Sequence, residues 1–386
     1  MKSIQQYAAT ALLGLFLGSS LALADAETDE LRAQFESVID GLNSNSFERF
    51  NRAIVKKDMT SRIYSGRLIE TDVKKAFASD FTGSVGQMFS SSFPKSKKEI
   101  LGTVIDFDFK GGEGRAVVRY ALSGYRYSYH VYQLRRDSKG RLLIVDWVDY
   151  YQGNQFSDEA GDALVMAMPS KQATRSLLDD KAMSEAEVFQ IAELFKAVRD
   201  NKPERFFQIY DGLSDAGVAE TVIMKSNLEL ALLARDGERI EGAVQSLEKR
   251  LPDDALFSLR LIEFYIPTRQ YDKAIAALVR LQDEIGVRDA ATESLKASAA
   301  LAMGNTADAE KYALQATEVE PSLELGWWSL LRARTRAQDY SGAVEALTRL
   351  EDDFGHTLDP ATLKRDRFLK VLADKPDYLA WLASRE

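Results

Sequence analysis

The spacing of apolar residues changes twice along the chain. Intervals of three and four residues over 28–42, 46–55 and 72–93 predict three helices. Between residues 100 and 151 the interval falls to two, with breaks at Gly111, Ser123 and Gly140, which predicts an antiparallel meander of four strands. Beyond residue 184 the helical interval returns and persists. We therefore expect an α+β domain, with helices before the sheet, followed by an all-α region.

A separation of about 34 residues organises the all-α region. Ala243, Ala274, Ala309 and Ala343 are 31, 35 and 34 residues apart, and turn-forming residues precede each of them. Residues four and seven positions after each alanine lie on the same helix face, because they follow it in steps of four and three. A small residue suits the place where two helices cross, because a larger one would overpack the crossing. A period near 34 is typical of stacked helical hairpins.

This pattern resembles the tetratricopeptide repeat, and the last two units match it best. The matching residues are Trp327, Leu330, Tyr340, Ala343, Leu347 and Leu350 in the fourth unit, and Ala297, Ala300, Gly304, Ala309, Ala313, Ala316 and Pro321 in the third. The resemblance implies a helical solenoid over residues 184–386. Degenerate hairpins at both ends would cover its apolar faces. An unrelated helical bundle is the alternative, but a bundle has no reason to keep a fixed period.

Residues 25–168 form the predicted α+β domain. Helices followed by a meander resemble the nuclear-transport-factor-2-like cone, in which a curved sheet wraps a long helix. The strand ending at Trp147 is similar to the last strand of such domains. Residues 169–183 are polar and lack a clear apolar face, so we expect a linker there.

The first 24 residues have the features of a secretory signal peptide. Lys2 precedes an apolar stretch over 8–23, and Ala22-Leu23-Ala24 is a small-x-small cleavage site before polar residues. The stretch is short and interrupted for a membrane span, so an uncleaved anchor is the alternative. We expect a periplasmic protein of a Gram-negative bacterium, without stable membrane insertion. Release outside the cell is the other possibility.

Composition removes several classes of function. The net charge of −9 argues against binding to nucleic acid or to an anionic membrane. The chain has no cysteine, so it has no disulfide, thiol nucleophile or thiolate metal site. Its two histidines, His130 and His356, share no ligand spacing with each other or with carboxylates. We expect no metal and no cofactor.

The resemblance implies that the first helix of each hairpin lines a concave groove. On that face the predicted binding residues are Arg235, Glu263, Trp328, Arg332 and Arg336. The last three are spaced i, i+4 and i+8 on one helix face. An aromatic ring beside two arginines suits a peptide backbone or a carboxylate. The alternative is a Trp328 in the core with solvated arginines, because tryptophan is usually buried.

A second candidate site lies on the predicted sheet. Tyr127, Tyr129, Asp146 and Asp149 would line a pocket in a cone-shaped domain. An aspartate beside tyrosines in an apolar pocket can have a raised pKa and move a proton. The alternative is that these tyrosines are ordinary strand residues and that Asp146 is solvated. No acid, base and nucleophile can be matched, so we expect no enzyme.

These patterns favour a non-catalytic adaptor or assembly factor that binds a protein or peptide of the cell envelope. The adaptor role is implied by the family resemblance alone. In the rival interpretation, the N-terminal domain binds or transforms a small apolar ligand and the repeats dock it to a complex. A third possibility is a structural role in which the array self-associates.

Overall fold

The computed structural model of the chain describes residues 26–91, 93, 101–122 and 126–385. The predicted signal peptide and the predicted turn at Ser123 lie outside these residues. The chain divides into two compact units. The first contains the residues up to Asp149 together with Asn154–Ser226, and the second contains Tyr150–Gly153 and Asn227–Glu386.

The first unit begins with helices and continues into a sheet. Its helices before the sheet are α1 (26–43), α2 (Glu48–Ala53), α3 (Lys56–Tyr64), α4 (Thr71–Ser79) and α5 (Phe81–Ser91). The strands are β1 (Leu101–Lys110), β2 (Glu113–Ala121), β3 (Tyr127–Arg136), β4 (Leu142–Asp149) and β5 (Asn154–Gln155). They form an antiparallel sheet in the order β1-β2-β3-β4-β5. The sheet is followed by α6 (Phe156–Ala167), α7 (Lys171–Leu177), α8 (Glu185–Arg199) and α9 (Pro203–Tyr210).

Aromatic side chains fill the space between the sheet and the helices of this unit. Trp147 of β4 stacks on Phe156 at 3.9 Å between ring centroids and lies 5.5 Å from Phe50 of α2. Phe35 of α1 meets Tyr132 of β3 edge to face at 5.2 Å. Such ring pairs add to the free energy of burial, so this contact surface anchors the sheet to α1, α2 and α6.

Local chemistry sets the element boundaries. Gly111 and Gly112 have φ values of 63° and 89°, as the two-residue turn between β1 and β2 requires. The single helix predicted over 72–93 is instead α4 and α5, because Asp80 leaves the helical region with φ −119° and ψ 44°. The predicted linker contains α7, whose N-terminus is capped when the Ser170 hydroxyl accepts from the Ala173 amide.

The rest of the chain is helical. Its helices are α10 (Thr221–Ala234), α11 (Gly237–Arg250), α12 (Ser258–Tyr265), α13 (Tyr271–Ile285), α14 (Ala290–Met303), α15 (Thr306–Val319), α16 (Glu324–Ala337), α17 (Tyr340–Asp352), α18 (Pro360–Arg365) and α19 (Pro376–Ala383). From α12 to α17 each helix packs on the next, and α14 also packs on α16. This is the arrangement of a solenoid, and the predicted fold class is confirmed.

In the described residues the same left-handed turn joins the two helices of five hairpins: α8–α9, α10–α11, α12–α13, α14–α15 and α16–α17. The residues with positive φ are Asn201, Arg235, Arg269, Gly304 and Gln338, and their separations are 34, 34, 35 and 34 residues. After each one, the next amide donates to a carbonyl five residues back, at 2.8–3.2 Å. This is the Schellman motif that ends a helix. Because the α8–α9 hairpin has the same turn, the local repeat geometry occurs five times.

The marker alanines are buried, but they do not all occupy the same place in the repeat. Ala274, Ala309 and Ala343 each lie five residues after the left-handed residue of their hairpin. Ala243 lies eight residues after Arg235, which is about one helical turn further along. The separation of 31 residues read from the sequence reflects this shift, whereas the turns themselves keep the longer period.

In the part of the chain that the structure describes, no helix combines the length and the apolar character needed to cross a membrane.

Candidate functional site

A cavity of about 590 Å³ lies in the second unit, between α14, α16 and the segment that follows α18. The apolar part of its lining is Ile266, Leu295, Ala299, Leu301, Ala302 and Phe368. The exposed Ser298 and the ring of Tyr271 complete the lining on the side of the repeats. The residues that α14 contributes to the lining include the small Ser298, Ala299 and Ala302, which leaves room for this space.

Arg332 is the residue of α16 that reaches this cavity. Its guanidinium lies 5.4 Å from the ring of Trp328, one turn earlier in the helix. Its Nε donates to Oδ2 of Asp366 at 2.9 Å, and its Nη2 lies 2.9 Å from the same oxygen. The sequence predicted that this ring and this guanidinium would suit a carboxylate. In the structure that carboxylate belongs to the chain itself.

The segment after α18 places an aromatic ring beside this ion pair. The other oxygen of Asp366, Oδ1, accepts from the Phe368 amide at 2.8 Å, which fixes the bend between the two residues. The Phe368 ring packs against a cluster of small and apolar side chains: Ala300, Leu301, Ala309 and Ala333. The guanidinium of Arg367 lies 4.4 Å from the centre of the same ring.

The cavity is locally electropositive. Its lining includes Arg332, Arg365 and Arg367 but only one carboxylate, that of Asp366. Within the described residues, no carboxylate lies within 4.0 Å of the guanidinium nitrogens of Arg365 or Arg367, and both side chains are exposed. In a chain with a net charge of −9, three arginines around a single lining carboxylate favour an anionic ligand.

Two other predicted groove residues lie on α16 but outside the cavity lining. The Trp328 indole donates to Oε1 of Glu324 at 2.6 Å, and Nε2 of His356 lies 2.7 Å from the same oxygen. Trp328 is half-buried, so it is neither fully in the core nor free in solvent. Arg336 is exposed in the last turn of the helix.

The remaining predicted groove residues, Arg235 and Glu263, are placed elsewhere. Arg235 is not on a helix face but in the turn after α10, with φ 55°. Glu263 of α12 accepts from the Tyr151 hydroxyl at 3.3 Å and lies 3.7 Å from the Arg260 guanidinium. Of the five residues predicted for the groove, Arg332 is the one that lines the cavity.

On the sheet of the first unit, Asp146 is fully buried and holds the start of α6. Its Oδ1 accepts from the amides of Trp147 and Ser157 at 2.9 and 3.2 Å, and its Oδ2 accepts from Gln155 at 2.6 Å. A carboxylate at a helix N-terminus is favoured by the helix dipole and by the unpaired amides there. These contacts give Asp146 a clear structural role.

Asp149 instead belongs to a buried polar array. Its Oδ2 lies 3.2 Å from Nε2 of His130, and its Oδ1 accepts from Ser128 at 3.3 Å. Nδ1 of His130 lies 3.4 Å from the Tyr132 hydroxyl, which lies 2.7 Å from the Tyr120 hydroxyl. Burial raises the pKa of both tyrosines. The array is enclosed by aromatic rings of Phe89, Phe93 and Trp147.

Register explains why this array differs from the predicted pocket. His130 pairs with Asp149 across β3 and β4. Successive residues of a strand point to opposite faces, so Tyr127 and Tyr129 lie on the other face of β3. The alternation of His130 and Tyr132 was the sequence signal that could have identified the array.

The described part of the chain holds no group of three or more His, Asp and Glu side chains arranged to bind a metal ion.

Comparisons with known proteins add little. No family model matches the chain, and no curated protein matches it. Among solved structures, a chain described as "MamA MSR-1 C2" is similar, with 14% sequence identity and a TM-score of 0.32. The match covers 45% of this chain and 100% of that chain. At this TM-score it carries no argument about function.

Proposed function

We propose that the protein is a non-catalytic periplasmic adaptor or assembly factor that binds a protein or peptide of the cell envelope. The observation that carries this proposal is the cavity of about 590 Å³ in the second unit. It has an apolar floor, and Arg332, Arg365 and Arg367 stand at its edge.

The chemistry of the cavity supports a peptide as the occupant. Binding pockets commonly measure about 300–1,000 Å³ and combine an apolar lining with a few polar groups that set orientation. Here Leu295, Leu301 and Ala302 provide the apolar lining, and the arginines provide planar donors for carboxylates or carbonyls. A side chain and its flanking backbone fit such a site.

The compartment is inferred from the start of the sequence. The basic residue Lys2, the apolar stretch over 8–23 and the Ala22-Leu23-Ala24 site together support export. The absence of cysteine is compatible with an oxidising compartment. On this basis we place the partner in the cell envelope.

Site-specific photo-crosslinking tests the proposed surface. A photoreactive amino acid replaces Ala302, which lines the cavity. The measurement is made in cells and repeated with Ser298→Trp, which fills the cavity from an exposed position on α14. Ser341→Trp, at an exposed position on α17 outside the lining, is the matched control.

We expect a discrete adduct with a protein or peptide that disappears with Ser298→Trp and persists with Ser341→Trp. Adducts that are equal in both backgrounds would show that the cavity is not the binding surface. The absence of any adduct would have the same meaning.

The buried array of the first unit favours a second candidate function, in which this unit binds a small apolar ligand or acts on it. Three polar side chains, those of His130, Asp149 and Tyr132, lie among aromatic rings. A core that served packing alone would need no polar groups at these positions. Native mass spectrometry of the wild-type protein and of His130→Phe tests this. A small-molecule adduct that is found in the wild type and lost in the variant supports it, and no adduct in the wild type opposes it.

A further inference from the structure

The segment after α18 shows what the cavity edge can hold. Asp366 places a carboxylate on Arg332, and Phe368 places its ring on the small residues of α14, α15 and α16. One residue separates the two, and the hydrogen bond from the Phe368 amide to the Asp366 carboxylate sets their relative orientation. The surface therefore accommodates a carboxylate followed, two residues later, by an aromatic ring.

This internal occupant is held by contacts that solvent can reach. The Arg332 side chain is 31% exposed and that of Asp366 is 21% exposed, and the Phe368 ring is half-buried. Partly exposed ion pairs contribute little net free energy, because solvent and salt screen them. A segment of similar chemistry from another chain can therefore compete for the same place.

The charge around this place favours such a competitor. Asp366 neutralises Arg332, whereas Arg365 and Arg367 flank it without a carboxylate within 4.0 Å among the described residues. Once Asp366 has moved away, a partner segment with an acidic residue meets Arg332 without the two positive charges that Arg365 and Arg367 place beside Asp366. The internal segment, with arginines on both sides of Asp366, brings its own positive charge to the same place.

We propose that the partner presents an acidic residue two positions before an aromatic residue, and that Asp366 and Phe368 occupy its place until the partner displaces them. This inference rests on the proposed function. It names the chemistry of the partner and adds competition by the chain itself. In the open form Asp366 and Phe368 have left this place. If the open form is a fraction f of the population, the apparent dissociation constant of the partner is higher than the intrinsic one by a factor of 1/f.

Fluorescence anisotropy on the full chain tests the proposal. The probe is a labelled peptide with blocked ends, Ala-Ala-Asp-Ala-Phe-Ala. Its two controls replace the aspartate by asparagine or the phenylalanine by alanine. Asp366→Asn keeps an oxygen for the Phe368 amide but weakens the ion pair, so we expect the probe to bind about fivefold tighter. Phe368→Ala is a second variant with the same expected direction.

Two further variants examine the arginines. Arg332→Gln is expected to weaken probe binding about tenfold or more, because the carboxylate loses its charged donor. Arg365→Gln is expected to weaken it less. The matched controls are Lys364→Gln and Asp374→Asn, which change the same charges at exposed positions outside the cavity lining. Neither control should change the affinity, and thermal melts confirm that each variant folds.

Three results would overturn the proposal. The asparagine probe binds as tightly as the aspartate probe, or Asp366→Asn fails to strengthen binding, or no probe binds any variant. A random peptide library on the same protein separates this failure from that of the proposed function. One outcome is that the library peptides bind the wild type, lose binding in Ser298→Trp and show no enrichment of acidic-x-aromatic sequences. That result would support peptide binding in the cavity and contradict only the proposed partner chemistry.

Discussion

The guanidinium of Arg332 reaches one carboxylate oxygen of Asp366 through two nitrogens, each at 2.9 Å. The two residues are 34 positions apart, so the contact joins the last complete hairpin to the segment that follows α18. It fixes that segment at the edge of the cavity. The same contact thus closes the end of the array and occupies its most evident binding group.

A double-mutant cycle measures this contact. Arg332→Gln and Asp366→Asn are made singly and together, and the free energy of unfolding is obtained from urea denaturation. We expect a coupling energy of about 0.2–1 kcal/mol, because both side chains are partly exposed. The coupling should shrink at high salt as screening increases. A coupling of zero at low salt would contradict the contact.

Ala309 lies where helices of the second unit cross, at 0% exposure and in contact with the cluster that receives Phe368. Ala309→Phe should destabilise the protein by about 1–3 kcal/mol through overpacking. The melting temperature should fall by about 2–10 °C. Ala307→Phe, at an exposed position of the same helix, is the control and should leave the melt nearly unchanged. An unchanged melt for Ala309→Phe would mean that the crossing lies elsewhere.

The left-handed turn residues share a conformation, but the free-energy penalty for adopting it differs between residue types. Gln338 has φ 66° and Gly304 has φ 85°. Gln338→Gly should stabilise the protein by about 0.5–1 kcal/mol, because glycine adopts this conformation without a steric penalty. Gly304→Ala should destabilise it by about 1 kcal/mol. An added Cβ there has no neighbour within 4 Å, so only the backbone opposes the change. Chemical denaturation should give changes in the free energy of unfolding of opposite sign for the two variants. Changes of equal sign would contradict this account.

Alkaline pH should weaken the first unit. Burial raises the pKa of Tyr120 and Tyr132 above the ordinary value of 10.0. The unfolded chain therefore loses these protons first, and the folded state binds more protons above pH 10. The contribution of the pair is present below pH 10 and is lost as pH rises towards the folded pKa values. Unfolding free energies measured from pH 8 to 11 should fall less steeply in Tyr120→Phe. An identical slope would contradict the assignment.

Export predicts a defined N-terminus. If the signal peptide is cleaved after Ala24, the mature chain in the periplasmic fraction begins at Asp25. Mass spectrometry of the intact protein checks this directly. Replacing Ala22 and Ala24 by arginine should block processing, because the peptidase requires small residues there. A chain recovered from the cytoplasm with Met1 still present would remove the periplasmic assignment.

Much of the fold could be predicted because its signals are local. Alternating residues from position 100 with a break at Gly111 predicted the first two strands, and the structure forms Leu101–Lys110 and Glu113–Ala121. The helical repeat was visible through small residues such as Ala274 and Ala309. Ala243 lies one turn away from the equivalent place, so alanine spacing alone misplaced the first unit of the repeat by three residues.

The site was less predictable because its contacts are not local. Nothing in the neighbourhood of Arg332 indicates that Asp366 will reach it from the segment after α18. The array on the sheet was not predictable for a different reason: the pairing of His130 with Asp149 depends on the register of β3 and β4, which alternation alone does not determine. The sequence identified Asp149 but grouped it with the tyrosines of the opposite face.

The recurring left-handed turn has a consequence for how such a chain can change. Arg269 and Gly304 occupy equivalent left-handed turns 35 residues apart. Deleting residues 270–304 would therefore connect Arg269 directly to Asn305 and leave one turn of the same kind. Duplicating the same stretch would insert another. Whole hairpins can therefore be gained or lost without a new kind of turn. The number of hairpins can change in evolution while the left-handed turn stays the same.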